Sequence, residues 1–229
     1  MNLERRKHLA GHMVVWIARV SQARASLPHL ESCLDAGDRQ RAARFHFAED
    51  RARFVLGRGL LRKCLGYHLR QTPETIELAT TEFGRPVLAG NREIQFSLTH
   101  TGDLVAVAVT SGAQIGIDLE LVQPQRDLPG LAERIFSPED LREFLALSPG
   151  DQTGAFYRAW TRKEAYLKAR GEGIAAGLQG TSVSFGQEEA VTLRNSPDET
   201  DRAQWQLLAL PLPADYAGCL ACDDREKQL

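Results

Sequence analysis

The order of the predicted elements constrains the fold of this chain more than any single motif. The first part reads as a strand, a helical region and a group of strands, and the second part follows the same order. No residue-by-residue repeat accompanies this outline. Because helices and strands are mixed in both parts, the order predicts an α+β protein with two related halves, divided between residues 115 and 116.

The N-terminal elements follow from the hydrophobic pattern. Alternation over residues 14–20 predicts a half-buried strand, and a loop containing Pro28 follows it. Apolar side chains at three- and four-residue steps predict a long helical region over residues 38–69, which Pro73 ends. Residues 76–80 are predicted to form a short strand.

The middle of the chain has a strong β pattern. Residues 94–98, 104–109 and 115–120 are short apolar or alternating runs of strand length. Turn residues at 101–103 and 111–112 separate them. Three short strands joined by tight turns predict a β-meander.

The second half has clear helix signals. Ser137 followed by a proline and two acids predicts a helix start, and a second helix is expected over residues 153–170, ending at Gly171. The polar, turn-prone residues 122–129 are the expected connection near the boundary of the halves. Further strands are expected near residues 181–185, 191–193, 204–210 and 216–221.

Composition excludes several classes of function. The net charge of −2 gives no general field for nucleic acid or a membrane surface. No apolar run reaches the roughly 18 residues of a membrane span, and residues 13–18 are too short for a signal-peptide core. We therefore expect a cytoplasmic protein. The first half is basic and the second acidic, which suits an anionic ligand beside a metal, although sampling noise gives the same asymmetry.

The four cysteines do not point to a disulfide scaffold or a zinc site. Cys219 and Cys222 form a lone C-x-x-C without a second pair, whereas structural zinc needs four ligands. Reduced, packed thiols are the expected state of these two residues and of Cys33 and Cys64.

Two acids lie together in the sequence Gly116-Ile-Asp-Leu-Glu120. Residues two apart on a strand point to the same face, so Asp118 and Glu120 present adjacent carboxylates. Their mutual repulsion is relieved by a hard divalent cation such as Mg²⁺. The alternative is a solvated strand end with two ordinary surface acids.

A second motif lies on the helix predicted over residues 153–170. Trp160, Glu164 and Lys168 follow one another at four-residue steps and share a face. One interpretation is a third metal-binding carboxylate at Glu164 and a phosphate-binding cation at Lys168. The other is a simple surface ion pair, worth about 0.3–0.5 kcal/mol.

The two motifs in this order resemble the signature of the Sfp-type 4′-phosphopantetheinyl transferases. Three further segments resemble that family, so the similarity extends over about residues 38–185: Arg53–Arg62, Gly84–Pro86 and Phe96–Thr101. The resemblance implies the transferase fold, a pseudo-dimer of two similar α/β halves, each with a small antiparallel sheet packed against helices. It implies a monomeric enzyme that moves 4′-phosphopantetheine from coenzyme A to a serine of an acyl or peptidyl carrier protein.

The resemblance also implies roles for the motif residues. Asp118, Glu120 and Glu164 match the metal ligands of the family, holding Mg²⁺, or alternatively Mn²⁺, against the pyrophosphate of coenzyme A. Glu164 or a metal-bound water would deprotonate the carrier serine. Lys163 and Lys168 match positions near the phosphates, and Lys168 would stabilise the leaving adenosine 3′,5′-bisphosphate. Glu164, Lys168 and Asp118 are thus the expected catalytic residues.

By the resemblance, residues 1–115 form the side that binds the nucleotide of coenzyme A, and residues 116–229 form the side that holds the metal ligands and the carrier protein. Coenzyme A would occupy a cleft between the halves. The phosphates of coenzyme A are natural targets for cationic side chains. Taken alone, however, Arg85 is more simply interpreted as an exposed arginine and His100 as a hydrogen-bonded turn residue. The residues matched to coenzyme A are Arg41, Gly84, Arg85, Pro86, Thr99 and His100, together with Lys163 and Lys168.

Some positions depart from the family pattern or lack an interpretation. Ser97 replaces a common asparagine, and Phe54 replaces a small hydroxyl residue found in some members. Residues 1–12 have no assigned role. Apolar contacts from Ile174 and Leu178 are expected to help dock the carrier. Two alternatives remain: a non-catalytic coenzyme A- or carrier-binding protein, and another Mg²⁺-dependent transferase that uses a nucleotide. The pathway served, whether fatty-acid, polyketide or nonribosomal peptide synthesis, is left open.

Overall fold

A computed structural model describes residues 4–7, 13–81, 84–91, 93–171, 177–196, 198 and 204–223. The chain divides into two compact units, Met1–Gly112 and Ala113–Leu229. The connection expected at residues 122–129 therefore lies inside the second unit.

The first unit contains a four-stranded antiparallel sheet of order β1-β2-β6-β5 and a separate β3-β4 hairpin. Its elements are β1 (Glu4–Lys7), β2 (Val14–Arg19), α1 (Val20–Ala23), α2 (Leu27–Ser32), α3 (Ala36–Ala43), α4 (Ala48–Leu69), β3 (Leu78–Thr80), β4 (Pro86–Leu88), β5 (Ile94–Thr101) and β6 (Leu104–Ser111), with 3₁₀ turns at Arg24–Ser26 and Pro73–Thr75.

Helix α4 supplies much of the core of the first unit. Acidic Glu49 and Asp50 lie in its first turn, where they interact favourably with the helix dipole, and it ends at Arg70 in the left-handed conformation. Its buried side chains pack with those of β2, β5 and β6.

The helical region predicted over residues 38–69 consists of two helices, α3 and α4. The predicted loop around Pro28 is wrong, because that proline occupies the first turn of α2, where it has no amide hydrogen to lose.

The second unit contains a four-stranded antiparallel sheet of order β7-β12-β11-β9 and a short β10-β8 pair. Its elements are β7 (Ile115–Leu121), α5 (Leu128–Ile135), α6 (Pro138–Leu145), α7 (Pro149–Arg170), β8 (Ser182–Val183), β9 (Ala190–Val191), β10 (Leu193–Asn195), β11 (Trp205–Ala209) and β12 (Tyr216–Asp223). Ser137 caps α6 by accepting from the amide of Asp140, and Gly171 ends α7 at φ 75°, as predicted.

The predicted meander is correct for two of its three strands. β5 and β6 pair antiparallel, with Thr101 opposite Leu104. β7 pairs instead with β12, with Asp118 opposite Cys219. Strand β6 already has β2 and β5 on its two edges, so it has no edge left for β7. The pairing of β7 therefore depends on a strand about a hundred residues away, which local pattern does not reveal.

Each unit has one 22-residue helix packed against a small antiparallel sheet, α4 in the first and α7 in the second. This shared construction is the α+β pseudo-dimer fold that the sequence predicts. In the described part of the chain, no helix is both long enough and apolar enough to cross a membrane.

Gly116 allows α7 to lie close to β7. A Cβ atom at this position would lie 2.0 Å from the carbonyl oxygen of Ala165 and 2.5 Å from the amide nitrogen of Ala169. Both obstructing atoms belong to the helix backbone, so no side-chain movement could relieve the overlap. The glycine of the first motif thus sets the distance between the strand and the helix that carry the two motifs.

We expect Gly116→Ala to lower the free energy of unfolding by about 3 kcal/mol, because the helix must shift away from the strand. Gly150→Ala is the matched control: it adds the same methyl group to the first turn of α7, where nothing lies within 4 Å of the new atom. Chemical denaturation of both variants measures the difference. Equal stabilities would contradict the close contact.

Candidate active site

The two motifs face each other within the second unit. β7 carries Asp118, which is 3% exposed, and Glu120, which is partly exposed. Helix α7 packs against this strand and presents Trp160, Glu164 and Lys168 on one face, as their spacing predicts. The structure therefore brings together the three carboxylates and the lysine that the sequence analysis selected.

Lys168 lies among the carboxylates. Its Nζ is 2.5 Å from Asp118 Oδ1 and 3.7 Å from Glu164 Oε2. At these distances the ammonium donates a charge-assisted hydrogen bond to Asp118 and pairs with Glu164. A single lysine thus pairs with two of the three acids, Asp118 and Glu164.

Glu164 is held in an environment that disfavours its charge. The pKa of its carboxyl is raised from 4.5 to about 7: burial is the largest cause, Lys168 opposes the shift, and the negative charges of Asp118 and Glu120 add to it. The carboxyl therefore binds a proton at a much higher pH than an ordinary glutamate does. A group with this pKa can accept and return a proton under physiological conditions.

The donor set fits a hard divalent cation. Asp118, Glu120 and Glu164 offer carboxylate oxygens, the ligands that Mg²⁺ prefers, and their mutual repulsion favours added positive charge. Across the described ranges, however, no three His, Cys, Asp or Glu side chains already converge as a ligand set. Cation binding would therefore require side-chain movement, including separation of Asp118 from Lys168.

Lys163 differs from Lys168, the other lysine of the motif, because its side chain points into the interior of the second unit. Its side chain is fully buried, and Nζ donates to the carbonyl oxygens of Ile135 at 3.0 Å and Leu178 at 2.9 Å. Asp140 Oδ2 lies 3.5 Å away. Burial lowers the pKa of the Lys163 ammonium to about 8. This placement does not agree with the expected phosphate contact, because the ammonium is enclosed by its protein acceptors.

We expect Lys163→Met to lower the free energy of unfolding by about 3 kcal/mol or more, because Asp140 loses its buried cation and two carbonyl groups lose their donor. Denaturation experiments check this. The matched variant Lys168→Met removes a lysine that is 24% exposed on the same helix and should cost less stability. A large rise in the KM for coenzyme A in Lys163→Met, with unchanged stability, would instead support the phosphate contact.

The residues matched to the nucleotide lie in the first unit. Arg41 is exposed near the end of α3, and its guanidinium lies 5.3 Å from the ring centre of Phe54. The phenylalanine that departs from the family pattern thus packs against this arginine. Thr99 is buried and its neighbour His100 is exposed, since adjacent strand residues point to opposite faces of β5. Ser97 is also buried.

The Gly84-Arg-Pro86 segment borders a cavity of about 570 Å³ in the first unit. Gly84 has φ 78°, a conformation that favours glycine. Arg85 is partly buried, which lowers the pKa of its guanidinium, and it donates to the carbonyl oxygen of Phe96 at 3.4 Å. The cavity is lined by Arg85, Pro86, Val87, Leu88, Gly90, Asn91, Ile94, Gln95 and Phe96.

The structure confirms the expected state of the cysteines but leaves the predicted carrier contact untested. All four cysteines are buried, reduced thiols, as predicted, and burial raises the pKa of Cys219 to about 12. For the carrier contact, Ile174 lies outside the described residues, and Leu178 is partly buried against the core of the second unit.

Comparison with known proteins places both units in one family. Residues 114–221 match the family described as the 4′-phosphopantetheinyl transferase superfamily, and residues 21–112 match the N-terminal domain described for 4′-phosphopantetheinyl transferases. The chain belongs to the Sfp-type 4′-phosphopantetheinyl transferases and is an enzyme that transfers phosphopantetheine.

Three relatives illustrate the similarity. The 4′-phosphopantetheinyl transferase HetI of Nostoc sp. is 36% identical over 217 residues, covering 93% of this chain and 87% of the relative. The transferase psf-1 of Bacillus pumilus is 30% identical over 219 residues, covering 90% and 92%. The transferase Sfp of Bacillus subtilis is 31% identical over 155 residues, covering 68% of each chain.

Proposed function

We propose that this transferase takes 4′-phosphopantetheine from coenzyme A and attaches it to a serine hydroxyl of an apo acyl or peptidyl carrier protein. Mg²⁺ is the proposed cofactor, with Mn²⁺ as an alternative. The observation that carries the proposal is the cluster of Asp118, Glu120, Glu164 and Lys168 between β7 and α7. We extend the proposal to a cytoplasmic, monomeric enzyme.

The proposed reaction is a displacement at phosphorus. The serine oxygen bonds to the phosphorus that carries pantetheine, and the bond from that phosphorus to the bridging pyrophosphate oxygen breaks. Adenosine 3′,5′-bisphosphate leaves with the bonding electrons. Such a reaction needs positioning and charge neutralisation more than covalent help from the protein. A bound Mg²⁺ would supply part of that neutralisation.

Residues of the second unit would supply the rest. Glu164 is the proposed acceptor of the serine proton. Asp118, Glu120 and Glu164 would hold the metal. Lys168 would donate to the leaving oxygen as negative charge develops there, once it has separated from Asp118.

Residues of the first unit would bind the nucleotide of coenzyme A. Arg41 is exposed and cationic, which suits the 3′-phosphate. Arg85 and Pro86 line a cavity large enough for a ligand group, which suits the adenine end. Thr99 and His100 are the proposed phosphate contacts on β5.

The direct test is incubation with coenzyme A, Mg²⁺ and a panel of apo carrier proteins, followed by intact mass measurement. The proposal predicts a mass gain of one phosphopantetheine on the carrier and none without the metal. Replacement of the carrier serine by alanine should abolish the gain. Coenzyme A binding without any mass gain across the panel would contradict the proposal.

Metal binding should depend on pH through Glu164. A proton on this carboxyl competes with Mg²⁺, so below the pKa of about 7 the apparent affinity should fall by up to about tenfold per pH unit. Calorimetry at pH 8 and pH 6, in buffers of different ionisation enthalpy, measures both the affinity and the proton released. Glu164→Gln should abolish this release. An affinity for Mg²⁺ that is equal at both pH values would exclude the linkage.

A further inference from the structure

Trp160 contacts the carboxylate cluster from the same helix face as Glu164 and Lys168. Its indole Nε1 donates a hydrogen bond to Glu120 Oε1 at 3.3 Å. The four-residue spacing of Trp160 from Glu164 predicts this shared face. From this contact we infer that Trp160 is a positioning residue that orients Glu120 for metal binding. This inference rests on the proposed Mg²⁺-dependent function.

The ring of Trp160 is held in place by the core of the second unit. It stacks on Phe156 with a centroid distance of 6.4 Å and an interplanar angle of 11°. Trp160 is partly buried and packs against the hydrophobic core of the second unit. This packing restricts the indole ring, so the N–H group that Glu120 meets loses little conformational entropy when the metal binds.

A fixed hydrogen-bond donor should help to order Glu120 more than it would help to order Asp118. Asp118 is short, buried and contacted by Lys168. Glu120 is longer and lies near the more exposed end of β7, so ordering its side chain costs more conformational entropy. A fixed hydrogen bond reduces the entropy that metal binding would otherwise lose.

The indole of Trp160 is uncharged, so unlike the ammonium of Lys168 it does not compete with a metal cation. A carboxylate can accept an N–H bond and still bind a cation, since its two oxygens together offer about four acceptor sites. Indole adds no positive charge, so its contact with Glu120 can persist when Mg²⁺ binds. Partners of this kind around metal ligands typically change affinity by 10- to 100-fold when they are removed.

The test is Trp160→Phe, which keeps an aromatic ring against Phe156 and removes the N–H group. We expect the Kd for Mg²⁺, measured by calorimetry on the free enzyme, to rise about tenfold. The KM for Mg²⁺ should rise in parallel, whereas kcat at saturating Mg²⁺ should stay within about twofold. Trp205→Phe is the matched control, because Trp205 packs against Tyr166 in the same unit. It should leave both constants unchanged.

A double-mutant cycle keeps the inference falsifiable if Trp160→Phe also loses stability. In the Glu120→Gln background, Trp160→Phe should have no further effect on Mg²⁺ affinity, because the contact acts through the Glu120 carboxylate. An unchanged Kd in Trp160→Phe, an equal rise in Trp205→Phe, or full additivity in the cycle would each overturn the inference. A wild-type enzyme that neither binds nor requires Mg²⁺ would instead overturn the proposed function itself.

Discussion

Glu164→Gln is expected to lower the rate of phosphopantetheine transfer at least about 1,000-fold. The substitution keeps the shape of the side chain but removes both the negative charge offered to the metal and the proposed acceptor of the serine proton. Each of these losses alone commonly costs two or more orders of magnitude. Intact mass measurement over time, with saturating coenzyme A and Mg²⁺, gives the rate.

The Glu164→Gln variant should remain folded, and the pH dependence of its stability should differ from that of the wild type. Because the pKa of Glu164 is raised from 4.5 to about 7, wild-type stability falls as pH rises through this range. Glutamine does not titrate, so the variant should lack this part of the pH dependence and be at least as stable at pH 8. Glu133→Gln, on an exposed position of α5, is the control for both measurements. Near wild-type transfer by folded Glu164→Gln would remove Glu164 from the mechanism.

The sequence predicted the cluster well because two independent periodicities defined it. A period of two placed Asp118 and Glu120 on one face of β7, and four-residue steps placed Trp160, Glu164 and Lys168 on one face of α7. The strand–helix contact itself was not predictable from either pattern. It depends on Gly116, whose need to be small becomes visible only when α7 lies against β7.

The buried position of Lys163 disagrees with the phosphate contact that the motif resemblance implies. Successive helix residues are separated by about 100°, so Lys163 and Glu164 point in different directions. The residues four before and four after Lys163 are Ala159 and Leu167, both buried. This local pattern already indicated the core face. Its partner Asp140 could not be found in the same way, because it lies on α6, and only the folded second unit brings it within reach of Lys163.

Lys168→Met should have opposite effects on metal binding and on transfer. In the structure the ammonium of Lys168 donates to Asp118 and pairs with Glu164, so it competes with Mg²⁺ for the same carboxylates. Without this competitor, the free enzyme should bind Mg²⁺ several-fold more tightly. Transfer should nevertheless fall at least about 100-fold, because the leaving bisphosphate loses the cation that neutralises its developing charge.

Lys168→Arg tests whether the positive charge at this position is what competes with Mg²⁺ for the carboxylates. Arginine retains the positive charge, so it should continue to compete with Mg²⁺ and leave the affinity near the wild-type value. Calorimetry on the free enzymes and transfer rates at saturating Mg²⁺ give both quantities for the two variants. Weaker Mg²⁺ binding by Lys168→Met would mean that Lys168 holds the carboxylates in place for the metal. Tighter binding together with slow transfer would mean that the lysine balances the acids before the metal arrives and acts on the leaving group afterwards.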